Sequence, residues 1–128
     1  MSAQNLSNDR AQLQEMYSRF GWKWTVLAYM AGRVVENGKQ LPSSVVQDLR
    51  STRVKMESCE NLCDMAADLR DLEIKLFPVL LSVSEGEVHT MLELLGKAMR
   101  GALDERDLDL SPLKPVLADC TIPKVCSQ

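Results

Sequence analysis

An all-α fold, an antiparallel bundle of about four helices with an irregular Pro-containing C-terminal tail, follows from three features of this 128-residue chain. Leu occurs 19 times and Met 7 times, against 11 Val and 2 Ile. Unbranched and γ-branched side chains keep their rotamers in a helix, whereas β-branched ones lose freedom there. Apolar residues recur at helical spacing through four separate stretches, and none alternates with the two-residue period of a half-buried strand. Turn-forming steps, led by Asn37-Gly38 and Pro42-Ser43, separate those stretches. The length suits a single domain, residues 1–128.

The first helix is expected over 9–36. Ser7 or Asn8 can cap its start, and Gly38 supplies a left-handed stop after its end. Leu13, Tyr17, Phe20, Trp24, Leu27, Ala31 and Val34 follow a 4-3-4-3-4-3 spacing, and Met16, Ala28 and Val35 widen the stripe. Such a helix is about 42 Å long. Gly21 marks a point where it can bend or divide. The second helix is expected over 43–57, opened by Pro42 and directed inward by Val45, Val46, Leu49 and Met56. The third, over 61–81, carries Leu62, Met65, Ala66, Leu69, Leu72, Leu76, Phe77 and Leu80, with a kink or an end expected at Pro78. Ser84 and Glu87 form a capping-box pattern that opens the fourth, over 85–103, with Val88, Met91, Leu92, Leu95, Ala98, Met99 and Ala102 inward. The tail, 104–128, holds three of the five prolines. Its Leu110, Leu113, Val116, Leu117 and Ile122 suit a segment laid across the bundle.

Bulk chemistry narrows the function classes. With 15 basic and 18 acidic residues the net charge is −3, which disfavours nucleic acid, because phosphate contact relies on clustered Lys and Arg. The longest apolar-leaning stretch, 20–35, is interrupted by Lys23 and Arg33, so no membrane span is expected. Residues 1–10 lack a cationic start followed by an apolar run, and a cytoplasmic location is expected. Phosphate-binding glycine loops, GxSxG elbows and HExxH motifs are missing from the sequence.

Two residue sets could carry metal chemistry. Glu60, Asp64, Asp68 and Asp71 share one face of the third helix, the arrangement by which all-α phosphohydrolases present carboxylates to Mg²⁺. That face points away from Leu69 and Leu76, Lys75 follows Asp71 by one turn, and the fourth helix offers only Glu93 opposite. A solvated surface is therefore the favoured reading over a cage using Asp64, Asp68 and Asp71. Cys59, Cys63, Cys120 and Cys126 could bind Zn²⁺ or join tail to bundle by a disulfide, but neither pair has the tight two-residue knuckle spacing. Idle or buried thiols are favoured. A Cys–His nucleophile would require His89 to meet Cys59 or Cys63 in space. A phosphate-contacting role for Arg50, Arg53 and Lys55 is weakened by the interleaved Asp48 and Glu57.

The first helix is apolar on two sides. Trp22, Val26, Tyr29 and Met30, with Arg33, lie opposite the Phe20/Trp24/Leu27 stripe. A helix of this kind is either central in its fold or pressed against a second molecule. Aromatic residues, Met and Arg are enriched at interface cores, so a homodimer through this face is the favoured expectation, with cover by the tail or bundle as the alternative. The function this implies is a small non-enzymatic interaction or assembly protein, with room for an outside protein partner. The metal-dependent phosphohydrolase and the zinc- or redox-responsive protein are the alternatives.

Overall fold

The computed structural model describes residues 3–58, 61–118 and 120–123, the side chains of 3–9 and 105 excepted. Four helices form the bundle: α1 (Ala3–Glu36), α2 (Ser43–Glu57), α3 (Leu62–Val83) and α4 (Glu85–Met99). Short connections make successive helices antiparallel. No strand occurs among the described residues. α1 packs against α2, α3, α4 and a 3-10 turn of the tail, Ser111–Leu113. α2 and α4 occupy opposite flanks of α3 and do not meet among the described residues. α1 is thus the axis of the molecule, and its stripe supplies Phe20, Trp24, Leu27, Ala31 and Val34 to the core.

α1 starts at Ala3, ahead of the expected caps at Ser7 and Asn8, and runs unbroken through Gly21. At about 1.5 Å per residue its 34 residues span about 51 Å. The neighbouring helices have 15 to 22 residues, so α1 outruns them. Leu13 and Met16, expected in the core, are consequently exposed. Its far end closes on Gly38 at φ +77. The Gly38 amide donates to the Val35 carbonyl and the Lys39 amide to that of Val34, both bonds of a Schellman stop.

α4 ends the same way, and earlier than its apolar pattern suggests. Gly101 adopts φ +69, its amide donating to Ala98 and that of Ala102 to Lys97. The helix therefore stops at Met99, and Ala102 lies exposed beyond it.

α3 begins on Asn61, whose side chain accepts from the Cys63 and Asp64 amides. It continues through Pro78 to Val83. Pro78 and Ile74 both lie on the exposed side, where water can satisfy the carbonyl that loses its amide partner. Ser84 alone joins α3 to α4: its amide donates to the Leu80 carbonyl and its hydroxyl accepts from the Glu87 amide at 3.3 Å. Only half of the expected capping box forms, because the Glu87 carboxylate is taken by Arg33.

The core holds Val45, Leu49 and Met56 from α2, Met65, Leu69, Leu72, Leu76 and Leu80 from α3, and Val88, Met91, Leu95 and Ala98 from α4. Phe77, Leu92 and Met99, expected inward, face solvent instead. The tail lies across the bundle as expected, with Leu108, Leu110, Leu113 and Leu117 buried. The tail rests on α1 at Gly32, where a Cβ would stand in ordinary contact with Pro112 and Leu113 at 3.5 Å. Arg50 holds the Val116 carbonyl at 2.6 Å and Arg53 the Thr121 hydroxyl at 3.0 Å.

Candidate functional site

The chain itself covers the second face of α1. Val26 and Met30 are fully buried, and Trp22 and Tyr29 are half-buried against the core. Arg33 donates to both carboxylate oxygens of Glu87, each at 2.7 Å, and to the Tyr29 hydroxyl at 3.1 Å. The apolar surplus on which a dimer through Trp22, Val26, Tyr29, Met30 and Arg33 rests is therefore absorbed inside one molecule. The reason is position. A helix enclosed by three others and a tail needs apolar side chains around nearly its whole circumference.

The Arg33 guanidinium holds the Glu87 carboxyl below its ordinary value of 4.5, and Glu87 in turn raises Arg33. A depressed carboxyl contributes stability that is complete above its unfolded value and is lost as pH falls through its folded one. Arg33→Met should accordingly cost about 1–2 kcal/mol near neutral pH, discounted for the partly exposed guanidinium. Urea melts from pH 7 to pH 3 should show that cost shrinking below the ordinary value of 4.5. A cost that stays constant with pH would contradict the assignment.

The carboxylate stripe meets α2, a neighbour the sequence did not reveal. Asp68 accepts from Lys55 at 2.6 Å, and Lys75 pairs with Asp48 at 2.6 Å instead of with Asp71. The Asp48 contact pushes the Lys75 ammonium up from its ordinary value. The facing carboxylate thus comes from α2 and not from Glu93 of α4, but it arrives with two lysines. Asp48, Asp68, Asp71 and Lys75 border a hollow of about 80 Å³. A divalent ion there would have to displace two ammonium groups. Among the described residues, no group of three or more His, Cys, Asp or Glu is arranged to hold a metal. Asp64 is exposed, and Glu60 lies outside the described residues.

The remaining candidates are dispersed. Cys63 is exposed near the start of α3, whereas Cys120 is buried in the tail with its Sγ 3.6 Å from the Leu117 carbonyl. Cys59 and Cys126 lie outside the described residues. His89 is exposed in the first turns of α4, at the far end of α3 from Cys63. Helix rise alone separates those two by roughly 20 Å. The basic trio of α2 is engaged within the chain: Arg50 and Arg53 clamp the tail and Lys55 bridges to α3. Arg53 also lies 5.3 Å over the Trp24 ring.

What stays open is the outward face of α3. Ile74, Phe77 and Leu81, at i, i+3 and i+7, are 60%, 43% and 47% exposed. Arg70, Glu73, Ile74 and Phe77 border a shallow hollow of about 320 Å³. Other large exposed apolar side chains include Val54 on α2 and Leu92 on α4. Phe77, expected inward with the Leu69/Leu76 stripe, belongs instead to a second series, Arg70, Ile74, Phe77 and Leu81, whose 4-3-4 spacing is visible in the sequence. No helix among the described residues is long and apolar enough to cross a membrane. No protein-family model, curated protein or solved structure matches the chain.

Proposed function

We propose that this chain is a small non-enzymatic interaction module whose partner-facing surface is the outward face of α3. The observation that carries the reading is the strip Ile74, Phe77 and Leu81, three large apolar side chains exposed at helical spacing on one face of α3. Contiguous apolar patches on soluble folds mark sites of association. The metal-dependent phosphohydrolase reading is weakened by Lys55 and Lys75, which already pair with Asp68 and Asp48. A photo-crosslinking side chain placed at Ile74 in living cells should give one discrete adduct. The same probe at Glu93, on α4, should give none. No adduct at 74, or equal labelling at both positions, would remove the proposal.

A further inference from the structure

No further inference is drawn: the strongest candidate, the apolar strip of Ile74, Phe77 and Leu81 along the outward face of α3, carries nothing beyond the reading above, because nothing in the structure shows what covers it.

Discussion

Trp24→Ala is expected to lower unfolding stability by about 4 kcal/mol, within the range for deleting a buried aromatic side chain. Trp24 is completely buried on the central helix, and its indole N–H donates to the Leu49 carbonyl of α2 at 2.8 Å. The Arg53 guanidinium lies 5.3 Å over the ring. Truncation would leave a cavity where α1 meets α2, remove the ring beneath the Arg53 guanidinium and remove a hydrogen bond. Trp24→Phe keeps most of the volume and should cost about a third as much, since the Leu49 carbonyl is also within the bonding register of its own helix. Urea denaturation followed by circular dichroism distinguishes the two. Equal losses in both variants would mean that the hydrogen bond, not the packing, dominates. Against a total of about 5–15 kcal/mol for a domain of ordinary stability, the alanine variant should be close to failing at physiological temperature.

The second large effect lies in the tail. Leu113 is fully buried in the 3-10 turn that rests on Gly32 of α1. Leu113→Asp would bury an unpaired carboxylate or expel the segment, and expulsion is the cheaper outcome. The expected loss is about 3–4 kcal/mol, and it should appear as local release of the tail. Amides around 111–118 should exchange quickly and proteases should cut there. Far-ultraviolet helicity should stay near the wild-type value, because the packing of α3 with α2 and α4 does not run through the tail. Global melting with no separate release of the tail would show instead that the tail and the four helices form one cooperative unit.

The difference between what the residues foretold and what they concealed has a physical pattern. The start of α2 was legible because Pro42 acts locally, in the first turn where its missing N–H costs nothing. The inner stripes of α1 and α3 were legible for the same reason, since periodicity belongs to one helix at a time. The start of α1 was missed because good capping residues at Ser7 and Asn8 permit a helix boundary without forcing one. The end of α4 was missed because Ala102 and Leu103 prolong the apolar pattern past Gly101, whose left-handed backbone ends the helix. Both apolar sides of α1 could be read from Trp22, Val26 and Met30, but not the identity of what lies against them. Cover by α4 and the tail is a tertiary fact, and the spacing of one helix is the same whether its neighbour is its own chain or another. The same gap hid Asp48 and Lys55, which face the α3 carboxylates only because α2 packs there. In α3 two stripes overlap, so adjacent Leu76 and Phe77 were assigned together although one is buried and the other open.

Ser84 makes the whole link between α3 and α4, satisfying the end of one helix with its amide and the start of the next with its hydroxyl. A joint of one residue has no slack to absorb a change in length. An amino acid inserted there would separate the amide that ends α3 from the hydroxyl that caps α4, so one residue could no longer serve both helices. Whatever grips the outer side of α3 therefore also feels the angle at which α4 is held, and the hairpin travels as one stiff lever.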